Sequence, residues 1–286
     1  MSNRAYEILA PSGALSCVVF ASPHSGRDYG ASFIGTSVLN RHAIRSSEDA
    51  FVDQLFESAP EYGAPLLKAL APRAYVDLNR ARGELDPALI EGAARQTHNP
   101  RVASGLGVIP RVVANGRAIY RGKITMEEAQ QRIEAYWVPY HATLQALLDR
   151  AFDRHGQAVL IDCHSMPHEA IDGVVRSGMT RPDVVLGDRF GAAASGDVVD
   201  RVEAAFVGQG FAVTRNTPFA GAYVTQTYGR PSQGQHAVQV EIDRALYMDE
   251  RTVKPNAQFE TVRAALKAVV AELAEIGQGR VPLAAE

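Results

Sequence analysis

The stretch AVLIDCHSMP, residues 158–167, decides the fold. Ala158 to Cys163 is a short apolar run, rich in branched residues, that starts just after the helix-stopping Gly156. It predicts a buried strand. The run ends in polar groups, Asp162, His164 and Ser165, and Pro167 prevents the strand from continuing. Ligands of open α/β sheets sit just beyond the carboxyl ends of the strands. A histidine at such an end is fixed by a rigid strand and can reach a metal or a substrate. A lone strand-end histidine is more often a core-edge residue satisfied by one hydrogen bond. That balance shifts if a second histidine ends another strand.

Leu15 to Ser22 is such a second strand, and SPHSG, residues 22–26, follows it directly. Strand ends converge along one edge of a parallel sheet, so the fold can bring His24 and His164 together. Two imidazoles plus a carboxylate form the usual ligand set of a catalytic zinc, with the fourth position left to water. Ligand spacing this long carries little signal by itself.

The 286 residues are 46% hydrophobic and 21% charged, which suits one large α/β domain or two small ones. With no low-complexity linker and no internal repeat, residues 1–286 read as a single domain. A formal net charge of −3 implies no basic surface for nucleic acid. The two cysteines, Cys17 and Cys163, fall in apolar runs and read as reduced core thiols of a cytoplasmic protein. No apolar run approaches the ~20 residues of a membrane span. A signal peptide is rejected, because Glu7 interrupts its charge pattern and cleavage near Ala21 would fall beside His24.

Outward from the central strand, residues 1–14 form a lead-in, and a helix is predicted over Ser47–Tyr62. Residues 73–80, RAYVDLNR, read as a strand ending in Asn79 and Arg80, and residues 83–117 as a long loop. Thr125 with Glu128 is a capping-box pattern that opens a long helix, kinked at Pro139 and closed by Gly156. Short strands are expected at Gly173–Val175, Asp183–Leu186 and Phe211–Arg215, with a helix capped by Ser195 between the last two. Residues 216–236 read as a loop, Ala237–Asp243 as an alternating strand, and 255–276 as an amphipathic helix. Strands alternating with helices argue for α/β.

Several polar residues carry two readings. Glu241, on the polar side of its strand, is by pattern a solvent-facing residue. It could equally be a general acid or base. Asn79 and Arg80 are strand-end polar groups or a clamp for a substrate carboxylate. Glu48 and Asp49 suit a helix start, and either could be the third metal ligand. Cys163 beside His164 suggests a nucleophile pair, but adjacent strand residues face opposite ways, so Cys163 should be inert.

Taken together, SPHSG, the acidic EDAFVD stretch at 48–53, YVDLNR, IDCHSMP and HAVQVEIDRALYMDE resemble the N-formylglutamate amidohydrolase family. They occur in the family's order over roughly residues 15–265. The resemblance implies an α/β fold with a mixed, mostly parallel central sheet flanked by helices, like the zinc carboxypeptidases and succinylglutamate desuccinylases. It implies His24, Asp49 and His164 as ligands of Zn²⁺ or another divalent metal, and Glu241 as the general base. It gives Asn79 and Arg80 the substrate's α-carboxylate. The expected reaction is hydrolysis of N-formyl-L-glutamate, or a close N-acyl amino acid, to formate and L-glutamate, a step of histidine degradation. Arg111, Arg176 and Arg230 are candidates for the substrate's side-chain carboxylate. Two rivals are a related N-acyl amino acid hydrolase or peptidase with another substrate, and a non-catalytic metal-binding relative. A binding protein would have no need of Glu241.

Overall fold

A computed structural model describes residues 4–94, 99–173 and 180–277. Its centre is a seven-stranded mixed sheet. The strands are β1 (Tyr6–Leu9), β2 (Val18–Ser22), β3 (Leu66–Ala69), β4 (Ala158–Met166), β5 (Val184–Gly187), β6 (Val213–Arg215) and β7 (Gln235–Asp243). They lie in the order β1-β3-β2-β4-β7-β5-β6. The central four, β3, β2, β4 and β7, are parallel; β1 runs antiparallel to β3, and the β5–β6 pair antiparallel to β7.

The helices are α1 (Ala31–Thr36), α2 (Val52–Leu55), α3 (Pro100–Ala103), α4 (Met126–Arg132), α5 (Val138–His155), α6 (Gly196–Gly208), α7 (Tyr223–Tyr228) and α8 (Phe259–Ala274). Alternation in β2, β4 and β7 sorts the core onto two faces. Phe20, Ile161, Cys163, Val238 and Val240 pack with α2, α6 and α8. Val19, Leu160 and Ala237 pack with α4 and α5. Cys163 is buried opposite the histidine face, as strand alternation requires. Among the described residues, no helix is long and apolar enough to cross a membrane.

Several boundaries differ from the sequence reading, each for a physical reason. β4 continues through His164 and Ser165 and stops at Met166, where Pro167 withholds the next ladder N–H. β3, the short LLKA segment, was not anticipated; it occupies the place beside β2. RAYVDLNR is therefore not a strand. Its backbone bonds elsewhere: the Asp77 N–H donates to Val108 O, and Leu78 O and Arg80 O receive His141 Nε2 and Trp137 Nε1, both at 2.9 Å.

The single helix expected over Ser47–Tyr62 is broken into a 3₁₀ turn at Ala43–Ser47, the short α2, and a 3₁₀ turn at Ala59–Tyr62. Glu48 is extended and Phe51 left-handed (φ 68°), and neither conformation continues a helix. Thr125 caps α4 through the Glu128 N–H as read. The disturbance near Pro139 takes the form of a π-turn at Ile133–Trp137, so the helical path continues into α5. The 216–236 loop contains α7. Of the strand expected at Gly173–Val175, residues 174 and 175 lie outside the described residues.

The glycine of SPHSG has a steric role. A Cβ on Gly26 would sit on the backbone carbonyl of Ala71, so the loop after β2 packs against the segment after β3 at closest approach. Gly26→Ala should destabilise the fold by about 2 kcal/mol, the scale of overpacking in a rigid site. An unchanged denaturation midpoint would show that this approach can relax.

Candidate metal and substrate site

Three adjacent parallel strands, β2, β4 and β7, present the site at their carboxyl ends. His24 follows β2. His164 and Glu241 are paired in register across β4 and β7, and Asp162 pairs with Gln239 one step earlier on the same face. Towards the amino ends of these strands, that face is filled by Leu160 and Ala237 against α5. Beyond it, the same face turns polar and lines a cavity of about 700 Å³. The sheet thus fixes the polar residues from below.

Asp49 enters from the broken helix start. Its N–H donates to His24 O at 3.0 Å, which stitches the acidic stretch to the SPHSG loop. One donor atom each from His24, Asp49 and His164 lies within 4.8 Å of the others, and all three residues are buried. Asp49 Oδ2 is 3.0 Å from His164 Nδ1 and 3.5 Å from His24 Nδ1. Its other oxygen accepts Arg244 Nη2 at 2.8 Å. Glu48 points away: both its oxygens bind Arg45, and one also accepts the Tyr29 hydroxyl. The break that the sequence reading missed is what separates the two carboxylates.

Behind each histidine stands another carboxylate. His24 Nε2 bonds Asp77 Oδ1 at 2.7 Å, and His164 Nε2 lies 3.0 Å from Asp162 Oδ2. Carboxylates behind ring nitrogens orient imidazoles for metal binding through the opposite nitrogen. His24 Nδ1 is buried without a hydrogen-bond partner. That orphaned atom, facing Asp49 and the other imidazole, fits a cation shared by the three side chains.

The electrostatics agree. Burial would raise Asp49, but His164, His24 and Arg244 hold it well below the usual carboxylate range. Asp77 is likewise held low, against burial, by His24, Arg73 and Arg80. Burial would lower His164, yet Asp162 and Asp49 hold it well above the usual imidazole range. Glu241 moves the other way, pushed up to about 7 by burial and by the charge of Asp49, over the opposing pull of His164 and two arginines. Two neighbouring carboxylates with opposed proton affinities, Asp49 buried behind the histidines and Glu241 on the cavity wall, suit an anionic ligand and a general base. Gln239 Nε2 donates to Glu241 Oε1 at 3.0 Å and fixes it towards the cavity.

Asn79 and Arg80 both line the cavity. Asn79 Oδ1 accepts the Val224 N–H at 2.8 Å, and its Nδ2 lies 3.2 Å from His164 Nε2. Arg80 Nε donates to Leu106 O and Nη1 to Asn79 O, which leaves further N–H groups of the fork for a ligand. Of the loop arginines read from sequence, Arg111 is tied to Asp86 at 2.8 Å and Arg230 does not line the cavity. Arg176 lies outside the described residues.

Sequence reasoning missed Asp77, Asp162, Arg73 and Arg244 as parts of the site, although each lies in or beside a stretch singled out above. For Asp162 a signal existed: it is two residues from His164 on a strand and shares its face. His141 was also missed. Burial pushes its pKa down to about 4, so it is a neutral support, bonded to Leu78 O and the Tyr228 hydroxyl.

If these donors hold one cation, His24→Ala and His164→Ala should abolish zinc binding in a calorimetric titration. Asp49→Asn should weaken it far more than Glu48→Gln, and Asp77→Asn by about 10- to 100-fold through loss of imidazole orientation. A Glu48→Gln variant worse than Asp49→Asn would contradict the geometry.

The comparisons with known proteins follow the same lines. A sequence model of the N-formylglutamate amidohydrolase family matches residues 16–248. The N-formylglutamate deformylase of Pseudomonas aeruginosa is 31% identical over 265 residues, covering 90% of this chain and 91% of that protein. The Pseudomonas putida protein of the same name is 31% identical over 71% of each chain. The crystal structure of N-formylglutamate amidohydrolase from Ralstonia eutropha JMP134 is 35% identical, with a TM-score of 0.89, and covers 96% of this chain and 98% of that one. The chain belongs to the N-formylglutamate amidohydrolase family.

Proposed function

We propose that the chain is a metal-dependent hydrolase that cleaves N-formyl-L-glutamate, or a close N-acyl amino acid, to formate and L-glutamate. The observation that carries this is the His24, Asp49 and His164 group, whose two histidines line one cavity with Glu241 and Arg80, in a chain of this family. Two relatives named N-formylglutamate deformylase support the substrate. We further read residues 1–286 as one catalytic domain working in the cytoplasm, where the free, buried Cys17 and Cys163 stay reduced.

His24, Asp49 and His164 would hold zinc or a similar ion. When bound, such an ion supplies a Lewis acid and makes water easier to ionise near neutral pH. Glu241 takes a proton from the water that attacks the formyl carbon. As the C–O bond forms, charge builds on the carbonyl oxygen, and Arg73 adds a positive charge to the same cavity. Glu241 then delivers the proton to the leaving nitrogen, the C–N bond breaks, and formate and the free amine result. Arg80 and Asn79 hold the α-carboxylate, so the scissile amide is presented in one orientation.

The direct test is formate release from N-formyl-L-glutamate by purified protein, measured with its zinc content. Stoichiometric zinc with no formate and no other N-acyl amino acid cleaved would overturn the reading in favour of a binding protein.

Glu241 must be ionised to act, so kcat/KM should fall as pH drops through an apparent pKa of about 7 or lower, lower because a bound cation favours the carboxylate. Glu241→Gln should cut kcat by about 10²–10⁴ with zinc retained, and the residual activity should lose this acidic limb. Undiminished kcat with full zinc would remove Glu241 from the chemistry.

A further inference from the structure

The cavity carries more positive charge than its own carboxylates balance. Arg73, Arg80, Arg101 and Arg244 line it, against Asp77 and Glu241. Arg73 is committed to Asp77 at 3.0 Å and Arg244 to Asp49 at 2.8 Å. Among the described residues, the Arg80 side chain hydrogen-bonds only backbone carbonyls. Arg101, on α3, has no ion pair among the described residues, and its side chain is exposed at the cavity wall.

The backbone fixes these two arginines relative to each other. The Leu106 N–H donates to Arg101 O at 2.8 Å, and Leu106 O accepts Arg80 Nε at 2.9 Å. One residue therefore bridges them. They are close enough that Arg101 adds to the burial that already depresses the proton affinity of Arg80. Asn99 caps α3 by accepting the N–H groups of Arg101 and Val102, which anchors the Arg101 backbone. The two guanidiniums line the same cavity and repel each other. A ligand that brings two negative charges removes that repulsion.

We propose that Arg101 is the specificity residue of the site: it holds the second, side-chain carboxylate of a dicarboxylic N-acyl amino acid while Arg80 holds the α-carboxylate. The inference rests on the N-acyl amino acid reading above. It replaces Arg111, which is spent on Asp86, and Arg230, which stands away from the cavity. Substrates with a neutral side chain leave Arg101 without a partner, so selectivity comes from an uncompensated charge as much as from the gained contact.

The test compares N-formyl-L-glutamate with N-formyl-L-glutamine on wild type, Arg101→Gln and Arg101→Lys. The two substrates are nearly isosteric and differ in a charged side-chain carboxylate against a neutral carboxamide. Arg101→Gln should lower kcat/KM for N-formylglutamate by about tenfold or more, the loss of one charge-assisted contact. The loss should appear chiefly in KM, and N-formylglutamine should change by less than about twofold. Arg101→Lys, which keeps the charge and loses the fork, should recover part of the preference. Equal losses on both substrates, or none on either, would overturn the proposal while leaving the hydrolase reading intact. A wild type that releases formate from neither would overturn both.

Discussion

The site depends on Asp49 being held as a buried anion. A lone carboxylate this deeply buried would bind a proton rather than stay charged. Here Arg244 takes one oxygen and two imidazoles face the other. The charge has partners in three directions, and each comes from a different part of the chain: the loop after β2, the end of β4, and the residue after β7. Folding of the sheet and assembly of the site are therefore one event. A change to any of these partners is felt at Asp49.

The same logic repeats one layer out. Asp77 and Asp162 stand behind the two imidazoles, and Arg73 and Arg80 compensate Asp77 in turn. His141 and Trp137, at the start of the long helix, hold the carbonyls of the irregular DLNR segment. That segment must be irregular to work. A strand would spend its backbone on a neighbouring strand and turn Asp77, Asn79 and Arg80 by the alternation of a sheet. As a series of turns it aims one residue at His24, one at His164 and one into the cavity.

This explains what the sequence made legible and what it hid. The strand ends were plain, because apolar runs followed by histidine and then proline or glycine announce themselves. So were the N-cap at Thr125 and the stop at Gly156. Glu241 illustrates the limit. Its strand alternates like a half-exposed one, and only the segments around residues 101–116 and 218–222, distant in sequence, show that its polar face borders a cavity instead of open solvent. The helix expected across Glu48 and Asp49 failed because local propensity said nothing of His24 O, which claims the Asp49 N–H. Arg101 gave no signal, and Asp77 none beyond its place in YVDLNR, since their meaning lies in partners distant in sequence.

The central claim is that the second-layer carboxylates turn both imidazoles so that their Nδ1 atoms meet at Asp49. X-ray absorption at the zinc edge, joined to a crystal structure using anomalous scattering from zinc, tests it most directly. The account predicts one ion bonded to Nδ1 of His24, Nδ1 of His164 and a carboxylate oxygen of Asp49, with Nε2 of His24 still bonded to Asp77. An ion bound through Nε2 of either histidine, or through Glu48, would contradict it.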